Sequence, residues 1–200
     1  MKKLFIIALS CAAFAACKKE EDKKVTPIPV VPLTAVVKAD IDATGGKYQF
    51  YSIEKGDTVP ATDSASTKWD IAFGGSGGTT ILLNSGTSGP GQAGVIILDT
   101  LFNEVIAAPT TGYAQDNAVS KGIPTGSNNG WYNYAGPPNH TITPLAGKVF
   151  VIRTATGKYA KLEFISYYKG APTAPSGLTD ISRFYTIRYI YQPDGTTKLN

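Results

Sequence analysis

The sequence predicts an all-β protein, a single domain of packed antiparallel sheets with little or no helix. From residue 34 onward, apolar residues recur with a period of two rather than about 3.6. The chain also contains 21 glycines and 13 prolines, and only 17% of its residues are charged, against about a quarter in most soluble proteins. This composition argues against a coiled coil, a long helical bundle and a highly charged disordered chain. The length of 200 residues favours one domain.

One strand of this domain is predicted at residues 69–73. Its alternate residues form one apolar face, which consists of Trp69, Ile71 and Phe73. Residues 74–78 and 85–94 are rich in glycine and serine, and they predict loops between strands. The best helical candidate, residues 99–107, is short and interrupted by β-branched side chains.

A hairpin is predicted further along the chain. Residues 149–152 are continuously apolar, as expected for a strand that is covered on both faces. A turn follows at residues 154–158, where Gly157 is free to adopt positive φ. Residues 159–164 then alternate again, and we expect Lys161 to be a solvated cation on the polar face of this strand.

The last predicted strand covers residues 184–191, and the turn-forming sequence Pro-Asp-Gly at residues 193–195 ends it. Its alternate residues share one face, which consists of Tyr185, Ile187, Tyr189 and Tyr191. We expect the core of the domain to contain Trp69, Ile71, Phe73, Val149, Val151, Leu162 and Phe164.

The N-terminus resembles a bacterial lipoprotein signal peptide over residues 1–16. Two lysines precede an apolar run that is too short to span a bilayer, and the run ends in Phe-Ala-Ala before Cys17. The thiol of Cys17 is then the site of lipid attachment, which brings acyl chains such as palmitate. The alternative is an ordinary secretory signal in which this cysteine is incidental.

Residues 17–33 predict a lipidated, charged and Pro-rich tether that precedes the domain at residues 34–200. Residues 18–24 are all charged, and three prolines follow them to give a stiff, extended spacer. The charged run resembles the signal that exports some lipoproteins to the outer face of the outer membrane. We therefore expect a lipid-anchored protein of the outer membrane that faces the cell exterior.

Several functional classes are excluded by residue counts. Without the leader, seventeen basic and fifteen acidic residues leave a net charge of +2, too little for a nucleic-acid-binding face. One cysteine lies in the leader and Cys17 carries the lipid, so disulfides, cysteine zinc sites and thiol catalysis are excluded. His140 is the only histidine, which excludes a zinc site with several imidazole ligands. The Gly-Gly-Ser-Gly-Gly run at residues 74–78 predicts a flexible loop with no following helix rather than a strand-to-helix nucleophile elbow, and we expect a protein that is not an enzyme.

An aromatic cluster at residues 130–140 is the most informative local feature. It contains Trp131, Tyr132, Tyr134 and His140 beside a Gly/Pro-rich loop. Such aromatics can line a flat, apolar ligand site, with a hydroxyl or an imidazole as the polar contact. The alternative, which the local sequence favours, is a strand and a turn with Trp131 in the core and His140 exposed.

Three segments together resemble the HmuY family of haem-binding surface lipoproteins, at residues 69–73, 149–162 and 185–189. Their order and spacing also fit, and the resemblance covers roughly residues 38–191. It implies an all-β fold and a non-enzymatic function. Members of the family capture haem outside the cell and pass it to a TonB-dependent outer-membrane receptor.

The sequence departs from this family at the iron ligands. The resemblance implies two histidines or methionines, but Gly136 occupies the aligned position of one ligand and His140 lies four residues beyond it. Residues 112–129, which should supply the other ligand, offer only Tyr113 as an aromatic. Three possibilities remain open: axial ligation by His140, ligation by a tyrosinate from Tyr132 or Tyr134, or a member that no longer binds haem.

Three functions follow from these alternatives. The first is a haem-binding lipoprotein for iron acquisition, with candidate haem contacts at His140, Tyr132, Tyr134 and Trp131 and with His140 as candidate axial ligand. The second is a glycan- or protein-binding lipoprotein on the same fold, which uses exposed Trp131, Tyr132 and Tyr134 as a platform. The third is an envelope-stabilising lipoprotein without a small ligand.

Overall fold

The computed structural model describes residues 35–200, and the fold is all-β with antiparallel sheets. This range contains eleven strands, which are β1 (Val37–Asp42), β2 (Tyr48–Ser52), β3 (Asp57–Val59), β4 (Ile71–Gly74), β5 (Thr80–Leu83), β6 (Gly94–Asp99), β7 (Tyr132–Tyr134), β8 (Ile142–Pro144), β9 (Lys148–Arg153), β10 (Tyr159–Tyr168) and β11 (Ser182–Gln192). Two single-turn 3₁₀ helices also occur in it, Ala61–Asp63 and Phe102–Glu104. The predicted signal peptide, the lipidated Cys17 and the tether lie outside the described residues.

The strands form two large sheets and one separate hairpin. The five-stranded sheet has the order β1-β11-β10-β9-β6, and the four-stranded sheet has the order β3-β2-β4-β5. Strands β7 and β8 pair only with each other. Within residues 35–200, no helix has the length and apolar character needed to cross a membrane.

The predicted hairpin of β9 and β10 is confirmed. Tyr159 pairs with Arg153, and the amide of Thr154 donates to the carbonyl of Lys158 at 2.8 Å. Gly157 has φ +85°, the conformation that made glycine the expected residue there. The common face of β11 is confirmed as well, because its three tyrosines and Ile187 all lie in the core between the two large sheets.

All seven predicted core residues are buried, but they lie in three separate clusters. The cluster between the sheets contains Ile71, Phe73, Leu162 and Phe164. A second cluster covers the opposite face of the five-stranded sheet, where Val149 and Val151 pack against Phe102, Val105, Ala108 and Leu199. A third cluster on the outside of the four-stranded sheet contains Trp69 with Val59, Ala72 and Leu82.

The predicted common face of Trp69, Ile71 and Phe73 is therefore wrong for Trp69. Strand β4 begins only at Ile71, and the alternation does not extend back to the tryptophan. The residue between them, Asp70, is buried and accepts hydrogen bonds from backbone amides outside β4. This irregular segment places Trp69 on the same side of the sheet as Ala72.

The expectation of a solvated Lys161 is also wrong, since this residue is only 2% exposed. Its ammonium donates to the carbonyls of Phe102 and Val105, each at 2.9 Å. It also lies 4.6 Å from the ring centroid of Phe102. The helical candidate at residues 99–107 forms one 3₁₀ turn, and Lys161 binds the carbonyls that this short turn leaves free.

Replacing Lys161 by methionine will lower the free energy of unfolding by about 1–3 kcal/mol, because two buried carbonyls lose their donor. Burial of the ammonium is itself unfavourable, and this desolvation holds the pKa of Lys161 below its ordinary value. Methionine avoids the cost of burying a charge, and the loss of stability is therefore smaller than the lost hydrogen bonds alone would cause. Urea unfolding measures the change, with the exposed Lys55 changed to methionine as the matched control. Equal stability of the two variants would contradict this role.

Candidate functional site

The β7–β8 hairpin carries the candidate residues. Its strands are three residues long, and Tyr134 at the end of β7 pairs with Ile142 at the start of β8. The seven-residue loop between them contains two prolines, and its Gly136 has φ +71°. Glycine and proline are the residues that such a tight reversal requires.

An imidazole and a phenol meet at the tip of this hairpin. The hydroxyl of Tyr134 is hydrogen-bonded to Nδ1 of His140, and the two ring centroids are 5.9 Å apart. Both side chains are exposed, Tyr134 by 41%. Among residues 35–200, Nε2 of His140 has no hydrogen-bond partner, so this nitrogen can accept a proton or bind a metal.

The backbone around His140 is tightly held. His140 has φ +51°, and its amide donates to the carbonyl of Gly136 at 2.8 Å. Gly177 packs so closely that a Cβ added there would lie 2.2 Å from the carbonyl oxygen of His140. The segment around Gly177 therefore fixes the position of the histidine at the tip.

The base of the hairpin is part of the core. Trp131 is 1% exposed, stacks on Phe164 with ring centroids 4.8 Å apart, and donates from Nε1 to the carbonyl of Thr79 at 2.8 Å. Tyr132 is 9% exposed, and its hydroxyl accepts a hydrogen bond from Thr79 at 3.3 Å. The sequence alternative with Trp131 in the core and His140 exposed is confirmed. The prediction of an exposed aromatic platform is wrong for Trp131 and Tyr132, which are buried, and is correct only for Tyr134.

A groove runs beside the hairpin, between β8 and the connection from β10 to β11. One cavity of about 310 Å³ is lined by Ile142, Ile165, Tyr168 and Pro172 among others. A second of about 180 Å³ lies between Asn139 and Thr141 on one side and Ser176 and Leu178 on the other. Pro175 lines both cavities.

The sequence patterns above do not single out the connection at residues 169–181. Its length was the signal, because thirteen residues rich in proline, glycine and serine between two strands exceed the usual connection in a compact β domain. Long connections of this kind are often binding loops.

Tyr113, the aromatic in residues 112–129, does not approach His140. It packs beside Tyr159 with ring centroids 6.1 Å apart, and its hydroxyl donates to the carbonyl of Pro109. Burial raises the pKa of this phenol above its ordinary value, which disfavours the phenolate that an iron ligand would require. The same segment instead supports the hairpin, because Ser127 accepts a hydrogen bond from the amide of Tyr134.

Two antiparallel sheets packed around one core, with an exposed histidine at the tip of a separate hairpin, define an all-β class of domain built from packed sheets. A family model described as HmuY protein matches residues 46–182, and this chain belongs to the HmuY family. The resemblance inferred from the sequence is thereby confirmed. No curated protein matches the chain.

Solved structures are similar to this chain, and the two with TM-scores above 0.5 support the fold. A HmuY-like heme-binding protein from Bacteroides vulgatus is 22% identical, with a TM-score of 0.49 over 78% of this chain and 91% of that chain. A lipoprotein from Bacteroides fragilis is 18% identical, with a TM-score of 0.52 over 79% and 92%. The apo form of a HmuY analog from Tannerella forsythia is 18% identical, with a TM-score of 0.52 over 80% and 98%.

Proposed function

We propose that this chain is a haem-binding lipoprotein that captures haem and uses His140 as the axial ligand of its iron. The observation that supports this most directly is the hairpin tip, where the one histidine of the sequence is exposed and held in place. Membership of the HmuY family supports haem as the ligand. The protein acts as a binding protein and not as an enzyme.

The contact with Tyr134 prepares the imidazole for this role. Iron binds a neutral imidazole through a nitrogen lone pair, and the partner of the other nitrogen decides which nitrogen carries the proton. When Nδ1–H of His140 donates to the hydroxyl oxygen of Tyr134, the lone pair of Nε2 is available for iron. The hydrogen bond also orients the ring.

This chain supplies one axial ligand rather than two. The hydroxyl of Tyr134 is hydrogen-bonded to Nδ1 of His140, so it would have to give up this contact in order to bind iron itself. Tyr132 is a weaker candidate, because its hydroxyl is bound by Thr79 inside the fold.

The groove beside the hairpin provides apolar contacts for a porphyrin. Ile165 and Leu178, which line its two cavities, are 40% and 69% exposed. A flat macrocycle that covers such side chains gains about 25 cal/mol for each Å² of apolar surface removed from water. The same cavities approach the hairpin at Asn139, Thr141 and Ile142, next to the histidine.

We also propose that lipidation of Cys17 holds the domain on the outside of the outer membrane, where it passes haem to a TonB-dependent receptor. The sequence of the N-terminal segment supports the anchor, and the family supports the transfer. Exposure of His140 fits transfer, because a receptor can reach a ligand bound at the tip of a hairpin.

The third function, without a small ligand, is consistent with the closed packing around Trp131. It gives no reason for the exposed histidine at the hairpin tip or for the two cavities that meet at Pro175. Haem binding accounts for both features, and we therefore prefer it.

A visible-absorbance titration of the full-length chain tests the haem proposal. We expect a saturable Soret shift with ferric haem, measured again after reduction by dithionite, and we expect His140→Ala to abolish it. Tyr134→Phe should keep the shift but weaken binding about 10- to 100-fold, as for other partners of a metal-binding histidine. Tyr132→Phe, in the same hairpin, is the matched control and should bind like the unchanged chain.

Two results would overturn the assignment in different ways. The absence of a shift in both redox states would contradict haem binding itself. A shift that survives His140→Ala but is lost in Tyr134→Phe would assign the iron to a tyrosinate.

A further inference from the structure

A separate cavity of about 320 Å³ lies on the face of the five-stranded sheet that points away from the inter-sheet core. It is lined by Asp40, Asp42, Lys169, Gly170, Phe184 and Thr186. In the register of β1 and β11, Asp42 is opposite Phe184 and Asp40 is opposite Thr186. Directly opposed residues of an antiparallel pair point to the same face, so these four side chains project together.

The cavity combines an aromatic ring with charges of both signs. The ammonium of Lys169 lies 5.2 Å from the ring centroid of Phe184. One oxygen of Asp40 accepts a hydrogen bond from Thr186 at 2.5 Å, and one oxygen of Asp42 accepts from Thr44 at 2.6 Å. Among residues 35–200, no hydrogen bond reaches the other oxygen of either carboxylate or the ammonium.

We infer that this cavity binds a hexose unit of a glycan. The C–H face of a pyranose carries partial positive charge and fits the negative face of the Phe184 ring. Sugar hydroxyls can donate to the second oxygens of Asp40 and Asp42, while a sugar oxygen can accept from Lys169. The volume lies at the lower end of the range for small-molecule pockets, which suits one sugar unit.

The charges argue against other ligands of similar size. Because two carboxylates outweigh one ammonium, the lining has a net negative charge, which repels phosphates and the propionates of haem. The positive charge of Lys169 beside the Phe184 ring repels a ligand ammonium. A neutral polyol satisfies donors and acceptors of both signs without a repulsive contact.

This site is distinct from the groove beside the hairpin. Lys169 and Gly170 line the cavity at Phe184, whereas the next residue, Ala171, lines the groove. The cavity at Phe184 shares no lining residue with either cavity of the groove. The inference therefore goes beyond haem binding and does not depend on it.

Saturation-transfer-difference NMR on the full-length chain tests the inference. The probes are the methyl glycosides of glucose, galactose, mannose and N-acetylglucosamine. We expect ring C–H protons of at least one glycoside to receive saturation, and we expect Phe184→Leu to reduce its affinity at least tenfold. Phe50→Leu changes another half-buried strand phenylalanine and is the matched control; it and His140→Ala should bind the sugar unchanged.

A second variant keeps the test valid if Phe184→Leu fails to fold. Asp42→Asn alters an exposed carboxylate, keeps an oxygen for Thr44, and should weaken sugar binding several-fold. The inference is overturned if no glycoside receives saturation, or if binding is unchanged in a folded Phe184→Leu chain and in Asp42→Asn. Haem binding is measured in a separate titration with His140→Ala. A negative result with the glycosides therefore does not contradict the haem proposal.

Discussion

Replacing Trp131 by alanine will lower the free energy of unfolding by about 3–5 kcal/mol, the usual cost of removing a large core side chain. The indole is 1% exposed and lies within 6 Å, between ring centroids, of Phe164, Tyr167 and Tyr185. Its Nε1 also donates to the carbonyl of Thr79, the residue that precedes β5, and so joins the hairpin to the four-stranded sheet. Urea unfolding followed by far-UV circular dichroism measures the loss.

Trp131→Phe separates packing from hydrogen bonding in this prediction. It keeps a ring against Phe164 but removes the donor to Thr79, so we expect a smaller loss of about 1–3 kcal/mol. Tyr134→Phe, at an exposed position of the same hairpin, should change stability by less than about 0.5 kcal/mol. A loss below about 1 kcal/mol in Trp131→Ala would show that the packing described here is wrong.

This prediction also decides how ligand binding can be tested. Because Trp131 supports the hairpin from inside the core, loss of binding in Trp131→Ala would report a disturbed fold rather than a lost contact. His140 and Tyr134 are exposed, and their variants report binding at the tip itself.

Replacing Asp70 by alanine will lower the free energy of unfolding by about 2–5 kcal/mol, because two buried amides lose their acceptor. Its two carboxylate oxygens accept from the amides of Ile53 and Ala155, each at 2.8 Å. Ile53 follows β2 of the four-stranded sheet, and Ala155 lies in the turn between β9 and β10 of the five-stranded sheet. Asp70 thus connects the two sheets, and its loss weakens the contact between them.

The matched control is Asp57→Ala, which removes an exposed carboxylate from β3. We expect its free energy of unfolding to stay within about 0.5 kcal/mol of that of the unchanged chain. If Asp70→Ala unfolded at the same urea concentration as this control, the carboxylate would not connect the sheets.

The carboxyl of Asp70 also gives this prediction a pH dependence. Desolvation raises the pKa of Asp70 above its ordinary value, despite the bonds from Ala155 and Ile53. A folded pKa above the unfolded one favours the folded state at low pH, and this contribution is lost as pH rises through the folded pKa. The stability of the unchanged chain relative to Asp70→Asn should therefore fall as the pH rises from about 4.

The sequence predicted features that depend on neighbours along the chain. The alternation in β10 and β11, and the turn at Gly157, follow from a two-residue period and from glycine's access to positive φ. Periodicity could not assign Trp69 or Lys161 correctly. It shows that residues share a face, but what packs against that face comes from distant parts of the chain, such as the carbonyl of Phe102 above Lys161.

The all-β class, the family resemblance, the single histidine and the lack of cysteine in the domain could all be inferred from the amino-acid sequence. The folded structure was needed to show that Trp131 supports the hairpin, that Tyr134 is hydrogen-bonded to His140, and that the 169–181 connection forms one side of a groove. The fold also places Phe184 beside the two aspartates of β1, about 140 residues away along the chain. This division arises because local periodicity specifies strands and turns, whereas strand order and sheet packing determine which distant side chains come into contact.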